Sequence, residues 1–215
     1  MYNPSQFTET RLAVLHRLMR RKPLATLVAL TPEGLVANHI PLYLRVDGSP
    51  WGTLAGHVAR SNPLWRDTDT ATQVLAIFQG PDAYISPSWY ATKQEHGKVV
   101  PTWNYAVVHA KGLLRAIDDP AWIRAQLQDL TRHQEAAFAK PWAVDDAPRD
   151  YTDKLLAALV GIEIPIDQLT GKWKVSQNQP PLNQVGVVQG LADVGGDEAG
   201  AMAGLVKQYG AVARE

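Results

Sequence analysis

Hydrophobic and polar positions divide the chain into a β-rich first half and a second half with longer helices. Apolar residues at helical spacing predict a first helix over Thr8 to Arg21, which Pro23 ends. Short apolar runs bounded by turn-forming residues then predict strands over 24–30, 35–40, 42–46, 51–58, 74–78, 103–110 and 111–117. Gly112 marks a bulge or tight bend in the last of these. Many short strands with frequent turns favour a β-barrel over a parallel sheet.

Cap-and-proline pairs and helical spacing predict the other elements. Asn62-Pro63 predicts the start of a short helix, and Ser86-Pro87 repeats this cap-and-proline signature before Trp89. The polar segment 93–98 is expected to be a mobile loop. Longer helices are predicted from Asp119-Pro120 to about residue 138 and over 151–159, followed by a strand over 161–166. The predicted class is therefore mainly β with added helices (α+β). We place one domain at 1–191, including a helical segment 119–160, and a C-terminal tail at 192–215 that contains a flexible connector at 195–200 and ends in a weak helix.

Composition narrows the classes of partner and compartment. The 215 residues carry 21 basic and 21 acidic side chains, so the formal net charge of zero argues against broad electrostatic capture of nucleic acid or of an anionic membrane. There is no cysteine, which excludes disulfides, thiolate metal sites and thiol nucleophiles. No apolar run has the length of a membrane span, and the first residues lack the order of a signal peptide. We predict a cytoplasmic protein.

Sequence signatures of catalysis and of metal binding are missing from this chain. It contains no phosphate-binding glycine loop, no nucleophile elbow and no pair of histidines at metal-ligand spacing. His16 and His133 are predicted to be surface residues of helices, and His39 to be a structural residue of a strand. His57 ends a strand next to Gly56 and close to Arg60, so a functional role and a structural role stay equally open.

Aromatic residues concentrate between Trp65 and Tyr105, where three of the seven tryptophans and three of the seven tyrosines lie. Flat side chains beside hydroxyls, amides and prolines suit a flat ligand with a polar edge, although the same residues can fill a barrel core. Strand alternation places Trp103 and Tyr105 on one face and Asn104 on the other.

Arg60 is the best candidate for binding an anion. A guanidinium can hold a phosphate through two parallel hydrogen bonds, and the predicted helix start at Asn62-Pro63 adds backbone donors. The alternative is a surface arginine paired with a carboxylate such as Asp67. A second polar-aromatic cluster, Lys172 to Gln179, is interpreted either as a cofactor or partner contact or as a solvated strand end.

Several motifs in order resemble the PaiB family of FMN-binding negative transcriptional regulators, which is related to the pyridoxamine-phosphate-oxidase-like split barrels. They are Met1-Tyr2-x-Pro4, Gly56-His57-x-Ala59-Arg60-x-Asn62-Pro63-x-Trp65, Gly80-Pro81-x-Ala83-Tyr84-Ile85-Ser86-Pro87-Ser88-Trp89-Tyr90, Val100-Pro101-Thr102-Trp103-Asn104-Tyr105 and Lys174-Val175-Ser176-Gln177-Asn178. The resemblance runs from Met1 to about Leu191. It implies an FMN-binding split β-barrel with peripheral helices, a homodimer with the flavin at or near the interface, and a repressor role.

Pattern and resemblance together predict a set of FMN-binding residues. They are His39, His57, Ala59, Arg60, Ser61, Asn62, Trp89, Thr102, Trp103, Asn104, Tyr105, Lys174, Ser176 and Gln177. The chain departs from the family's pattern at Asp82, where histidine is expected, at Gln179, where a basic residue is expected, and at Asn183-Gln184, which replaces an acidic-basic pair. These departures put a phosphate or interface contact in doubt.

The sequence leaves the biochemical activity open between two classes. A repressor that reads DNA directly normally carries a basic face and a recognition helix, and the neutral chain shows no convincing helix-turn-helix, so direct DNA binding is not expected. The alternative is an FMN-dependent oxidoreductase acting on a small molecule. A flavin storage or sensing module is a third possibility.

Overall fold

The computed structural model describes residues 1–210. The strands are β1 (Thr8–Glu9), β2 (Leu24–Thr31), β3 (Gly34–Pro41), β4 (Tyr43–Arg45), β5 (Thr53–Ala59), β6 (Val74–Ile85), β7 (Thr102–Gly112), β8 (Arg115–Ile117), β9 (Leu159–Pro165) and β10 (Gln168–Lys174). The α-helices are α1 (Leu12–Arg21), α2 (Leu64–Asp67), α3 (Lys93–His96), α4 (Pro120–Glu135), α5 (Arg149–Ala157), α6 (Pro181–Val194) and α7 (Asp197–Tyr209). The predicted mixed α+β class is confirmed.

The chain forms two compact units. The terminal unit consists of Met1–Leu15, Gln79–Val108 and the segment from Thr170 onward, and the central unit consists of His16–Phe78 and His109–Leu169. The six-stranded sheet has the order β1-β10-β7-β6-β2-β3, and its strands β6, β7 and β10 contribute residues to both units. A second sheet, with the order β4-β5-β9-β8, belongs to the central unit.

The central unit is built around antiparallel pairs whose inward positions are aliphatic. β2 and β3 form a hairpin across the turn Thr31-Pro32-Glu33-Gly34, with Leu30 opposite Leu35 and with Gly34 at a φ of +110°. β5 pairs with β9 over its whole length, and the opposed side chains Leu54 and Ile164 are both buried in the core. Alternation on β2 buries Ala25, Leu27 and Ala29.

The predicted strand over 111–117 is shorter than expected. β7 runs through Gly112, and the chain resumes as β8 only at Arg115. A Cβ at position 112 would lie 2.0 Å from the Pro165 carbonyl oxygen, so glycine permits a close backbone approach there. The predicted bulge or tight bend at this residue stays a prediction.

The start of the predicted first helix was wrong. Thr8–Glu9 is strand β1, paired with Lys172 and Gly171 of β10, and α1 begins only at Leu12. The Glu9 carboxylate accepts hydrogen bonds from the Arg11 backbone and side chain, which fixes the turn before the helix. Helical spacing of the leucines could not reveal a two-residue strand whose partner lies far along the chain.

The other helices follow their local signals except α3 and α6, which the sequence did not predict. Asp119 caps α4 by accepting a hydrogen bond from the Ala121 N–H at 2.9 Å, as its sequence predicted. The segment predicted as a loop at 93–98 instead contains helix α3, closed by Gly97 at a φ of +66°. That glycine supplies the left-handed residue that ends a helix at low cost.

The C-terminal segment is two helices separated by glycines. Gly195 and Gly196 have φ values of +73° and +83°, which interrupt the helical path between α6 and α7. The predicted terminal helix is confirmed over Asp197–Tyr209, and 211–215 lie outside the described residues. The domain boundary predicted at 191 falls within α6 and stays a prediction.

No helix among residues 1–210 combines the length and the apolar character that crossing a membrane requires.

Candidate functional site

In the central unit, Arg60 forms an ion pair. Its Nη1 and Nη2 donate to the two carboxylate oxygens of Asp118 at 2.9 and 2.6 Å, and its Nε and Nη2 donate to the carbonyls of Ala157 and Leu159 at 2.8 and 3.0 Å. These bonds use four of the five N–H donors of the guanidinium. The partner is Asp118 rather than Asp67. A phosphate role for Arg60 therefore requires Asp118 to give way.

The residues around Arg60 have local partners as well. The Asn62 side-chain Oδ1 accepts from the N–H of Leu64, the first residue of α2, at 3.0 Å, and the Asn62 side-chain Nδ2 donates to Asn38 Oδ1 at 3.0 Å. His57 Nδ1 lies 2.9 Å from Gln126 Oε1, while His39 Nδ1 lies 3.1 Å from the Thr26 hydroxyl. Ala59 and Ser61 are exposed. Their roles in FMN binding stay predictions.

The surface position predicted for His16 was wrong. This side chain is buried, and its Nε2 lies 3.0 Å from the Trp51 carbonyl oxygen. Burial lowers the pKa of His16, and the Arg20 cation acts in the same direction. The histidine thus anchors helix α1 within the central unit. His133 is exposed, as predicted, with Nε2 3.2 Å from the Arg20 carbonyl oxygen.

In the terminal unit, aromatic rings and lysines share one face of the sheet. Trp103 is 55% exposed and meets the Tyr84 ring edge-on, with the ring centroids 6.0 Å apart. Tyr105 lies two residues further along β7, and Asn104 between them is buried, as strand alternation predicts. The face adds two lysines and a further tyrosine, and we call it the aromatic–lysine patch: Tyr2, Tyr84, Trp103, Tyr105, Lys172 and Lys174.

The two lysines of the patch lie on the same face of β10. The Lys172 ammonium is 5.7 Å from the Tyr2 ring centroid and 5.3 Å from the Tyr105 ring centroid, and it donates to the Tyr2 carbonyl at 3.0 Å. The Lys174 ammonium donates to the Thr102 hydroxyl and, at 2.7 Å, to the Trp103 carbonyl. Across residues 1–210, neither ammonium has a carboxylate within ion-pair distance.

Burial and the neighbouring Lys172 cation lower the pKa of Lys174. Two adjacent cations with partial burial repel each other, so an anion placed between them would gain from both charges. The patch therefore fits a ligand that carries a phosphate and a flat ring system.

The turn after β10 holds three further predicted residues. Ser176 has a φ of +63°, a left-handed conformation that few residues other than glycine adopt. Its buried hydroxyl accepts from the Asn104 amide at 2.9 Å, and Gln177 accepts from the Val175 N–H at 2.7 Å. Asn104, Ser176 and Gln177 are thus brought together as the support of the strand that carries Lys174.

The departures from the family's pattern have structural partners. Asn183 and Gln184 are both buried, and Asn183 exchanges hydrogen bonds with the backbone and hydroxyl of Thr92 at 3.1 and 3.0 Å. Gln179 accepts from the Asn183 amide at 3.2 Å. Asp82 accepts from the Gln79 amide at 3.1 Å. Neutral amides therefore hold α6 where the pattern expects charges.

Trp89 lies apart from the lysines, in a cavity shared with Tyr84. Helix α6 passes its ring so closely that a Cβ at Gly190 would lie 2.2 Å from the indole. The same helix approaches the backbone, where a Cβ at Gly186 would lie 1.9 Å from the Trp89 carbonyl oxygen. The sequence could not indicate that Gly186 and Gly190 contact Trp89, because the contact joins segments about a hundred residues apart.

Lys172, Tyr2 and Tyr84 were missed as candidates for the site. The available signal was the alternation on β10, since Lys172 and Lys174 must share a face if this segment is a strand. The sequence, however, left the segment Lys172 to Gln179 open between a strand end and a cofactor or partner contact. Tyr2 could be placed beside Lys172 only from the pairing of β10 with β1.

Comparison with known proteins identifies a family for this chain. The family model described as "Putative FMN-binding domain" matches residues 1–168, a segment that includes the four aromatic residues of the patch and ends before its two lysines. The chain is 33% identical to an uncharacterised protein of Emericella nidulans over 98% of both chains. It is 28% identical to Protease synthase and sporulation protein PAI 2 of Bacillus subtilis, over 96% of this chain and 97% of that protein.

Among solved structures, the FAD and heme binding protein from Mycobacterium smegmatis matches with a TM-score of 0.56 and 21% identity, over 78% of this chain and 73% of that chain. At this identity the match shows the fold. The predicted flavin-binding split barrel with added helices is confirmed.

Proposed function

Because the chain belongs to the PaiB-type FMN-binding domain family, with FMN as its cofactor, we propose that the aromatic–lysine patch holds the flavin. The observation that carries this proposal is a pair of lysine ammoniums that, within residues 1–210, have no carboxylate partner and that lie beside exposed aromatic rings. Lys172 and Lys174 would hold the phosphate. Trp103 and Tyr105 would lie against the isoalloxazine.

The environment of the two lysines favours phosphate over smaller anions. Three ammonium donors on each lysine exceed the hydrogen bonds that the carbonyls and the Thr102 hydroxyl accept, so donors remain for several phosphate oxygens. The Thr102 hydroxyl orients Lys174, and Tyr105 limits the movement of Lys172. When bound, FMN supplies electron transfer in one- or two-electron steps.

Asn104, Ser176 and Gln177 would act by positioning rather than by touching the ring. Asn104 is only 1% exposed, and its side-chain amide donates a hydrogen bond to the Ser176 hydroxyl. This network fixes the turn behind Lys174, which limits the ordering cost of binding. The FMN-binding roles of the other residues named from the sequence stay predictions: His39, His57, Ala59, Arg60, Ser61, Asn62 and, as a ring wall, Trp89.

We propose that any effect of this protein on gene expression does not arise from direct reading of DNA. Five guanidinium groups of the described residues form ion pairs with carboxylates: Arg11, Arg45, Arg60, Arg124 and Arg132. Paired arginines contribute little to the positive field that attracts a phosphate backbone. The alternative function is an FMN-dependent oxidoreductase acting on a small molecule.

A homodimer is the assembly we propose. One face of β2 and β3 leaves Leu24, Leu30 and Leu35 exposed by 62%, 39% and 76%, and β3 is the end strand of its sheet. Exposed leucines beside the end strand of a sheet are costly in water, and a second copy would cover them. The predicted cytoplasmic location stays a prediction.

Purified protein tests the function directly. The bound flavin is expected to give a visible absorption spectrum, and acid release followed by chromatography should identify it as FMN. Consumption of NADH or NADPH by flavin-loaded protein would support the oxidoreductase, whereas a specific gel shift with promoter DNA and no such consumption would support the regulator. Protein that binds neither FMN nor riboflavin would overturn the proposal.

A further inference from the structure

A cavity of the terminal unit differs in charge from the aromatic–lysine patch. It measures about 700 Å³ and is walled by Tyr84 and Trp89, with Leu191 and Val194 of α6 among its apolar residues. We call it the Tyr84–Trp89 pocket. Its size lies in the range of small-molecule sites.

Among the described residues, the charged side chains that line this pocket are all acidic. Asp82, Asp197 and Glu198 line it, and no lysine, arginine or histidine does so among the described residues. Asp82 and Asp197 form no ion pair within residues 1–210. A carboxylate that faces a cavity without a fixed cation attracts a cationic ligand and repels an anionic one.

The aromatic walls are suited to the same ligand. A cation gains from the face of an indole or phenol ring, and an attached apolar group gains from the burial of its surface. Close packing of the Trp89 ring on Gly190 makes this wall rigid. The start of helix α7 would otherwise favour an anion, but Asp197 and Glu198 in its first turn offset that tendency.

From this geometry we propose that the Tyr84–Trp89 pocket binds an organic ammonium with an aromatic or aliphatic body, such as an arylalkylamine. The ammonium lies toward the carboxylates and the apolar body toward Trp89 and Leu191. Tyr84 links this pocket to the proposed flavin site, because its ring also contacts Trp103. Amine binding itself needs no flavin, so it is separable from the proposed function.

The test uses full-length protein without flavin and phenethylamine as the probe, with binding followed by calorimetry and saturation-transfer NMR. Val194 is 66% exposed, so Val194→Arg places a cation at the pocket without disturbing the core. We expect this variant to weaken phenethylamine binding about tenfold or more, and Asp197→Asn to weaken it about threefold to tenfold. Asp193→Asn makes the same chemical change next to Val194 on α6 but outside the pocket. This matched control should bind phenethylamine as the wild type does.

Three results would overturn the amine site. One is equal binding of 3-phenylpropionate, which has a similar body and the opposite charge. Another is unchanged phenethylamine affinity in Val194→Arg. The third is competition between phenethylamine and FMN, which would place the flavin ring in this pocket instead. If Val194→Arg and Asp197→Asn weaken phenethylamine binding but leave the FMN affinity unchanged, the amine site and the flavin site are separate.

Discussion

At the scale of the residue, the environment of each cation decides its availability to a ligand. Arg60 is held by Asp118 and two carbonyls, whereas Lys172 and Lys174 meet only neutral oxygens and aromatic rings within the described residues. A cation already paired with a carboxylate offers an incoming phosphate less than an unpaired one. Lys174 is also partly buried beside the Lys172 cation, so an anion bound there would stabilise its charge more than at an exposed lysine.

Arg60 is tested by changing both members of its ion pair. If a phosphate displaces Asp118, Arg60→Ala should weaken FMN binding, and Asp118→Asn should strengthen it by freeing the guanidinium. Fluorescence titration with FMN measures both affinities, and riboflavin titration controls for effects on the ring. Equal FMN affinity in both variants would make this pair purely structural.

At the scale of the element, a polar cluster ties the last helix to the first strand. The Tyr209 hydroxyl of α7 donates to Glu9 of β1 at 2.5 Å, and the Arg11 guanidinium lies 5.2 Å from the Tyr209 ring centroid. Burial would raise the pKa of the Glu9 carboxyl, but the hydrogen bonds from Arg11 and Tyr209 outweigh it and lower this pKa to about 2. The ionised carboxylate is therefore the form that stabilises the fold.

The pH dependence of stability follows from this lowered pKa. The contribution of Glu9 should be fully present above the ordinary carboxyl pKa of 4.5 and be lost as the pH falls toward about 2. At pH 7, Tyr209→Phe should lower the free energy of unfolding by about 1.5–3 kcal/mol, because it removes a hydrogen bond to a charged group. Urea unfolding at pH 7 and pH 3 checks both statements. A difference between wild type and variant that grows as the pH falls would contradict this account.

Two glycines of neighbouring helices provide a matched test of packing. Gly186→Ala on α6 would place a Cβ 1.9 Å from the Trp89 carbonyl oxygen, which is backbone and cannot rotate away. We expect a loss of about 1–3 kcal/mol in the free energy of unfolding. Gly200→Ala on α7 meets nothing within 4 Å and should be neutral or stabilising by up to about 1 kcal/mol. Equal thermal unfolding of the two variants would show that this helix contact is absent in solution.

The elements that the sequence predicted are those fixed by local signals. The β2–β3 hairpin follows from Thr31-Pro32-Glu33-Gly34, and α4 follows from Asp119-Pro120. Strand β1 and the position of Tyr2 were beyond reach, since each depends on pairing with β10 from the opposite end of the chain. For the same reason Trp103 and Lys174 were predicted individually, while their shared face with Lys172 required the structure.

At the scale of the whole molecule, the exposed leucines of β2 and β3 test the assembly. Leu35→Glu should convert a dimer to a monomer, because it buries a charge at the proposed interface opposite Leu30. Val46→Glu changes a similarly exposed aliphatic residue outside these strands and should leave the dimer intact. Light scattering with size-exclusion chromatography gives both masses. A wild-type protein of monomer mass with FMN bound would rule out the dimer.

The central claim is that Lys172 and Lys174 hold the phosphate of FMN. Its most direct measurement compares FMN with riboflavin, which lacks the phosphate, by titration of the wild type and of the Lys172→Met/Lys174→Met double variant. Lys207→Met, a surface lysine of the same unit, is the control. The wild type and this control should bind FMN more tightly than riboflavin, and the double variant should lose about 10- to 100-fold of that preference while keeping its riboflavin affinity. An unchanged ratio of the two affinities in the double variant would contradict the claim.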